Sequence, residues 1–338
     1  MAISSRQGSA SASRKILWLG IAVILFSALY TGAWYYAAAE IRTRLAEAMA
    51  SSQRNGLTLE CGGMEVKGFP FRFELFCSKP GFADLNRGGS AQAKAFRSAA
   101  QVYAPWHIVW EADGPLSATL ENGEKLLLNW QSLQSSLQLK MGGLERSSLS
   151  ADGLDLTIPA DGTVAVMKAK AGHGEAHIRQ NGDDLDMAAL FRDVALTPPD
   201  LAALPLFSAS VEAKLAGKAG ALDGRIKGDA VLKPSKGELQ RAVVDFGQGR
   251  VATVTGPVEV DEAGLISAKL AVEAEKFVEW QPLVQGAMPD NADGIATAMG
   301  MIRGMADDKG TVRINLVIEK GQVLLGFIPL GITLPPIR

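Results

Sequence analysis

The chain has 338 residues and a formal net charge of -2, and its 34 lysines and arginines are scattered without a basic block. This composition excludes the positively charged surface on which nucleic-acid binding depends, so we predict no nucleic-acid partner. Low aromatic content (7%) and 36 glycines indicate many turns and strands of small residues, and not a dense aromatic core.

An uncharged apolar run over residues 16–39 is the first predicted element. About 20 apolar residues in a helix span the roughly 30 Å hydrocarbon core of a bilayer. Arg14 and Lys15 precede the run, and Glu40 is the first acidic residue. The positive-inside rule therefore places residues 1–15 in the cytoplasm and the chain after Glu40 across the membrane. The sequence predicts a single-pass anchor with an exported domain.

A cleaved signal peptide is the competing interpretation of the same run. Three alanines at 37–39 provide the small residues that signal peptidases prefer. The run is longer than the usual apolar segment of about 7–15 residues, which favours an uncleaved anchor. Both interpretations export the same domain.

Residues 40–54 are strong helix formers and predict a helical stalk that ends at Asn55 and Gly56. From residue 55 to 338 the apolar period changes from 3.6 to 2, which is typical of half-buried strands. Asx-Gly pairs recur at the spacing of hairpin turns, and no long helices alternate with the strands. The predicted fold is mainly β: one N-terminal transmembrane helix, a long antiparallel meander that forms either an open curled trough or a filled sandwich, and a few short helices in the C-terminal third.

Short helices are predicted at 198–207 and 236–244, and a helical pair at 275–287 and 293–306. The first of these lies near a candidate sub-boundary of the exported domain, at 198–208. Two strands at 311–319 and 322–327 then close the sheet. The tail over 329–336 contains prolines that lack ladder donors, so it is expected at an edge and not inside a sheet.

Cys61 and Cys77 are the two cysteines of the chain. In an oxidising exported compartment, an even and closely spaced pair predicts a disulfide between neighbouring strands. Free thiols and metal or redox chemistry are the alternatives. The pair lacks the nearby histidines of a metal site and the Cys-x-x-Cys spacing of a redox motif.

His173, Glu175 and His177 form the strongest metal-like pattern. Residues i, i+2 and i+4 of a strand share one face, so these side chains could converge on a cation. An exposed strand explains the pattern equally well, and the spacing differs from His-Glu-x-x-His. We therefore predict neither a metal nor another cofactor.

Enzymatic signatures are weak. The sequence contains no Gly-x-Ser-x-Gly elbow and no P-loop. The glycine-rich segment 245–249 is followed by a strand pattern, whereas a dinucleotide fingerprint requires a helix there. We predict that the protein is not an enzyme.

Aromatic and aliphatic residues on two predicted strands are candidates for lining an apolar ligand site, with ordinary core packing as the alternative. The candidate lining residues are Phe71, Phe73, Leu75, Trp106, Ile108 and Trp110.

Several of these residues also carry a family resemblance. Cys61-Gly-Gly, the Gly-Phe-Pro-Phe-Arg-Phe-Glu-Leu segment at 68–75, and Cys77-x-x-Pro80 follow a single anchor. The pattern resembles the alphaproteobacterial domain of unknown function 2125 family, which implies an envelope protein and supplies no catalytic residues. More distantly, it is similar to AsmA-like proteins, in which long sheets curl into an apolar trough associated with lipid transport.

Together these observations predict a protein of the inner membrane whose bulk is periplasmic, and which handles lipid or maintains the envelope through an apolar sheet face. Its expected partners are the inner membrane, lipid and other envelope proteins. A non-catalytic interaction module of an envelope complex is the alternative function. An exported metal-dependent enzyme built on His173 and His177 is a third.

Overall fold

The structure is a computed structural model that describes residues 9–54, 56–159, 167–197, 203–287, 292–326 and 328–337. The predicted anchor and stalk form one continuous helix, α1 (Ser9–Arg54). Its apolar N-terminal part is long and apolar enough to cross a membrane. The helix ends where Gly56, at φ +81°, turns the chain into the first strand.

The described residues form eighteen strands. The first nine are β1 (Leu57–Lys67), β2 (Arg72–Asp84), β3 (Ser90–Gln92), β4 (Ala95–Gln101), β5 (Ala104–Asp113), β6 (Leu116–Thr119), β7 (Lys125–Asn129), β8 (Ser132–Lys140) and β9 (Gly143–Ile158). The others are β10 (Met167–Asn181), β11 (Asp184–Thr197), β12 (Phe207–Leu215), β13 (Ser235–Asp245), β14 (Val251–Val260), β15 (Ile266–Ala274), β16 (Val312–Glu319), β17 (Gln322–Leu325) and β18 (Ile328–Thr333).

All eighteen strands belong to one antiparallel sheet in which neighbours in sequence are neighbours in space. The short strands β3 and β4 both pair with β2, and β7 and β8 both pair with β9, so each such pair is one interrupted strand. From β9 to β18 every strand pairs with the next along the chain. This confirms the predicted meander.

A line of interruptions crosses the first strands at a common level, which we call the break line. It contains Gly62 and Gly63 on β1, Lys79 and Pro80 on β2, Gly114 and Pro115 between β5 and β6, Trp130 and Gln131 between β7 and β8, and Gly153, Gly172 and Asp193 on β9, β10 and β11. Several of these residues have positive φ, a conformation that glycine adopts without steric cost.

Helical turns connect two pairs of strands. Ala219–Ala221 and Gly228–Val231 lie between β12 and β13. A turn at Phe277–Trp280, α2 (Gln281–Ala287) and α3 (Ala292–Arg303) lie between β15 and β16, which confirms the predicted helical pair.

Two of the short helices predicted from the sequence differ from the structure. The helix predicted at 236–244 is wrong, because this segment forms β13 and pairs with both β12 and β14. Of the helix predicted at 198–207, residues 198–202 lie outside the described residues, 203–206 form no helix, and Phe207 begins a strand. The suggested sub-boundary at 198–208 also falls there, and β11 and β12 pair directly on its two sides.

The amount of exposed surface indicates an open architecture. A compact monomer of 35.7 kDa is expected to expose about 13,000 Å², whereas this chain exposes 21,527 Å². Part of the excess comes from the apolar part of α1, whose side chains are exposed. Most strand residues are only half-buried, so the sheet contributes to the excess as well.

Candidate functional site

The helix and the first hairpin meet through aromatic side chains. Trp34 is 5% exposed and stacks on Phe73 of β2, with ring centroids 5.3 Å apart. Phe69 packs against Trp34 and Tyr35, at 5.5 and 5.7 Å between ring centroids. The apolar helix therefore packs against the side of the sheet on which Phe73 lies.

The predicted disulfide is present on the same hairpin. Cys61 of β1 and Cys77 of β2 are bonded across the two strands, with their Cα atoms 5.0 Å apart. Cys77 is buried and lies on the same side of β2 as Phe73, two alternations along the strand. The bond fixes the strand pair against which α1 packs.

From Phe73, Leu75 and Cys77, three rows of directly opposed residues can be followed across the sheet, because opposed residues in an antiparallel pair share a face. The middle row is Leu75, Ser98, Trp110, Ser135, Leu149, Ala176, Ala189, Val211, Ala242, Val254, Val272 and Ile314. The lower row is Phe73, Ala100, Ile108, Leu137, Ser147, Ile178, Met187, Ala213, Leu239 and Gly256. The upper row begins with Cys77, Phe96 and Ala112 and continues with Leu133, Ala151, Gly174, Phe191, Ala209, Val244, Ala252, Ala274 and Val312.

We call these three rows the apolar face. They contain no aspartate, glutamate, lysine or arginine. Most of their side chains are half-buried, and Val211 and Phe191 remain 37% and 41% exposed. No second layer of described residues therefore closes over the apolar face as it would in a filled sandwich.

The break line keeps this face continuous. Strict alternation from Ala151 would place Leu154 on the opposite side of β9. Instead, Leu154 Cδ1 and Phe191 Cε1 lie 3.1 and 3.0 Å from the position that a Cβ would take on Gly174. The positive φ of Gly153 thus turns Leu154 back towards Phe191.

The opposite side of the sheet is polar and carries ion pairs. Arg97 contacts Asp113 and Glu111 at 2.9 and 3.3 Å. Further pairs on these strands join Lys214 to Asp184 and Arg313 to Glu273, at 2.7 and 2.6 Å. Because the two sides differ so sharply, the sheet is amphipathic over most of its width.

The candidate lining residues divide into three groups. Leu75, Ile108 and Trp110 belong to the apolar face, and Trp106 lies on the same side as Ile108 by alternation. Phe73 also belongs to it but is covered by Trp34.

Phe71 forms the third group of candidate lining residues. It lies in the turn before β2 and is 71% exposed, so it does not belong to the half-buried strand predicted for it. The role of the whole set in binding a ligand stays a prediction.

Most of the apolar face is not apparent in the sequence, because from β9 onwards its three rows consist mainly of small and aliphatic residues, with Phe191 as their one aromatic side chain. The pattern that could have revealed it is the alternation in segments such as 209–213, where apolar residues recur at every second position. That pattern is weak in one strand and becomes clear only when the register joins the strands.

The histidine pattern forms a hydrogen-bonded chain on the polar side. His173 Nδ1 lies 2.7 Å from Asp152 Oδ1, and its Nε2 lies 2.8 Å from Glu175 Oε1. Glu175 also contacts His177 at 3.4 Å. Hydrogen bonds to Asp152 and then Glu175 raise the pKa of His173, because both carboxylates favour the protonated ring.

The same contacts lower the pKa of Asp152, chiefly through His173, and that of Glu175, through His173 and then His177. These groups are bonded to one another and do not point at a shared vacant centre. Within the described residues, no cluster of three or more His, Cys, Asp or Glu side chains is arranged to hold a metal ion.

Comparison with known proteins identifies the family of the chain. No curated protein matches the chain. A family model covers residues 34–333, which include the aromatic contact of α1, the disulfide hairpin and every strand of the sheet. The chain belongs to the bacterial protein family described as domain of unknown function 2125, uncharacterized proteins conserved in bacteria.

Proposed function

We propose that this protein binds lipid acyl chains on the apolar face and thereby handles lipid beside the membrane that anchors it. In this proposal α1 crosses the bacterial inner membrane with its N-terminus in the cytoplasm, and the sheet lies in the periplasm. The observation that carries the proposal is the uncharged apolar face, which begins at the helix contact of Phe73 and extends to Ile314.

The dimensions of the apolar face suit acyl chains. From β2 to β16 the middle row is about 50 Å long at roughly 4.8 Å per strand, and the three rows are about 13 Å wide. Soluble monomers rarely expose an apolar patch larger than roughly 300–600 Å², and larger patches usually mark a binding surface.

The chemistry of the apolar face also favours a flexible hydrocarbon. Its side chains are uncharged and carry hydrogen-bonding groups only on a few serines and the Trp110 indole, and burying each methylene stabilises a complex by about 0.8 kcal/mol. Charged headgroups find no partner on this face, so they would remain at its margins or in water.

Photo-crosslinking in cells tests the proposal at residue resolution. The photoreactive amino acid p-benzoylphenylalanine would be placed at Leu149 or Ile178 on the apolar face, and at the adjacent Ser148 or His177 on the polar side as matched controls. After irradiation of the full chain, mass spectrometry should find lipid adducts at Leu149 and Ile178 and few at the controls. Equal adducts on both sides, or protein adducts alone on the apolar face, would overturn the proposal. The second result would favour an interaction module.

A pair of neighbouring alanines provides a second test. Ala189 lies in the middle row, and Ala188 lies on the polar side next to it. Purified in mild detergent, the full chain should retain co-extracted lipid, which Ala189→Asp should reduce several-fold and Ala188→Asp should leave unchanged. Equal retention by both variants would remove the apolar face as the binding surface.

A further inference from the structure

Two hairpin turns at one end of the sheet expose large apolar side chains beside the anchor. Phe71, between β1 and β2, is 71% exposed, and Tyr103, between β4 and β5, is 70% exposed. The turns are joined because the backbone N–H of Val102 donates to the carbonyl of Phe71 at 2.9 Å. A third exposed side chain, Met141, lies at the next turn on this end, between β8 and β9.

The position of these turns along α1 indicates what surrounds them. The Tyr30 hydroxyl donates to the carbonyl of Pro70, and Trp34 Nε1 donates to the carbonyl of Arg72 at 3.3 Å. The first hairpin turn therefore lies beside residues 30–34, within the apolar run that ends near residue 39.

The length of the helix shows that this depth is inside a bilayer. From Ile16, just after Arg14 and Lys15, to Leu29, the helix rises about 21 Å at 1.5 Å per residue. The hydrocarbon core of a bilayer is roughly 30 Å thick. The part of α1 that projects free of the sheet is thus too short to span the core. The remaining depth is occupied by residues 30–36 together with the hairpin turn packed against them.

The flanking charges fit this location. Lys67 and Arg72 lie on the two strands that lead into the first turn, and each is paired with a glutamate, Glu65 and Glu74. Apolar tips bordered by long cationic side chains are typical of segments that lie in the headgroup and upper acyl region of a membrane.

We propose that the turns carrying Phe71 and Tyr103 insert into the bilayer leaflet around the C-terminal end of the anchor. The lower row of the apolar face, which starts at Phe73, then begins at the membrane surface itself. Met141 extends the same contact. The partner of this surface is the lipid bilayer, whether or not the apolar face binds individual lipids.

Depth-dependent fluorescence quenching tests the insertion. The full chain, with its disulfide intact, would carry a single added cysteine labelled with the environment-sensitive dye NBD and would be reconstituted into phospholipid nanodiscs. The labelled sites would be Tyr103→Cys, Met141→Cys and, as the control, Asn122→Cys in the exposed turn between β6 and β7 at the opposite end of the sheet. A spin-labelled lipid with its nitroxide near the headgroup would serve as quencher.

NBD at position 103 should emit at shorter wavelength than at 122 and should be quenched several-fold more strongly, with position 141 at least partly quenched. Quenching at 103 and 141 no greater than at 122 would overturn the inference. These positions lie in turns and outside the strand ladders, and unchanged circular dichroism would show that the labelled chains are folded.

The result is separable from that of the lipid-binding proposal. Lipid adducts at Leu149 without quenching at Tyr103 would leave acyl-chain binding in place and remove the inserted turns. Quenching at Tyr103 without lipid adducts at Leu149 would establish the membrane contact and remove binding along the sheet.

Discussion

Trp34 of the membrane helix lies flat on Phe73 of the sheet, with an angle of 12° between the ring planes and 5.3 Å between their centroids. Phe73 starts the lower row of the apolar face. Because Trp34 is almost fully buried there, the contact ties the orientation of the sheet to that of the anchor.

We expect Trp34→Ala to lower the free energy of unfolding of the β-rich domain by about 3 kcal/mol, since it removes a buried aromatic side chain. Tyr36→Ala, which changes an exposed side chain two positions away, should have little effect. Thermal or denaturant unfolding of the full chain in mild detergent measures both. A double-mutant cycle with Phe73→Ala should give a coupling of about 0.5–1.5 kcal/mol, and additive losses would show that the stacking contributes nothing specific.

The disulfide should be a main stabiliser of the first hairpin. In the chain-entropy model, closing a loop of about 15 residues contributes roughly 3 kcal/mol. Replacing both Cys61 and Cys77 by alanine should therefore lower the melting temperature of the domain without preventing membrane insertion of α1. Reductant should lower the melting temperature of the native chain and leave that of the double variant unchanged. Equal melting of the native chain with and without reductant would contradict this role.

Two glycines at positive φ should differ sharply in their tolerance of alanine. At Gly256 (φ +142°) an added Cβ would lie 2.1 Å from the backbone oxygen of Lys269, so β14 and β15 would have to separate. At Gly123 (φ +84°) nothing lies within 4 Å. Gly123→Ala should cost about 1–2 kcal/mol from backbone strain alone, and Gly256→Ala clearly more. Chemical denaturation compares them, and equal losses would show that the close approach relaxes without cost.

The hydrogen bonds among His173, Asp152 and Glu175 should stabilise the protein most in mildly acidic solution, where the imidazole is protonated and both carboxylates are ionised. The raised pKa of His173 means that its stabilising contribution is full below the ordinary histidine pKa of about 6.5 and is lost as pH rises through the folded-state value. The lowered pKa values of Asp152 and Glu175 mean that their contributions are present above about pH 4.5 and are lost as pH falls. The window therefore lies between roughly pH 4.5 and 6.5.

NMR titration of the imidazole signals checks this window. His173 should titrate above the ordinary histidine range in the native chain, and Asp152→Asn should bring its pKa down, because the carboxylate that favours the charged ring is gone. An unchanged midpoint in Asp152→Asn would show that the 2.7 Å contact does not control the protonation of His173.

Local chemistry was sufficient to predict the anchor, the disulfide and the meander. The apolar run, the paired cysteines and the Asx-Gly turns each act over a few residues, and the structure shows a helix long enough to cross a membrane, the disulfide and the antiparallel sheet. The helix prediction for 236–244 was wrong because this segment contains the helix formers Glu238, Leu239 and Gln240. Its strand conformation is imposed by pairing with β12 and β14 on its two sides. The strand position predicted for Phe71 was wrong because alternation alone does not show where a hairpin turns.

The apolar face could not be predicted for a related reason. Whether Leu149, Ala176 and Ala189 lie side by side depends on the register between three strands, and a shift of one residue would turn a whole strand over. The break line adds a second non-local element. The return of Leu154 towards Phe191 depends on the positive φ of Gly153, which alternation cannot anticipate.

The order of the strands also determines how the chain can fold. Because every strand after β1 pairs with at least one strand that precedes it in the chain, each new strand can find a partner that is already present. The hairpin of β1 and β2, whose strands are joined by the disulfide, offers an edge on which the next strand can assemble. Such local pairing keeps the contact order low, and the growing sheet need not wait for its C-terminal strands. The sheet can therefore grow strand by strand in chain order, and its growing edge stays unpaired only until the next strand arrives.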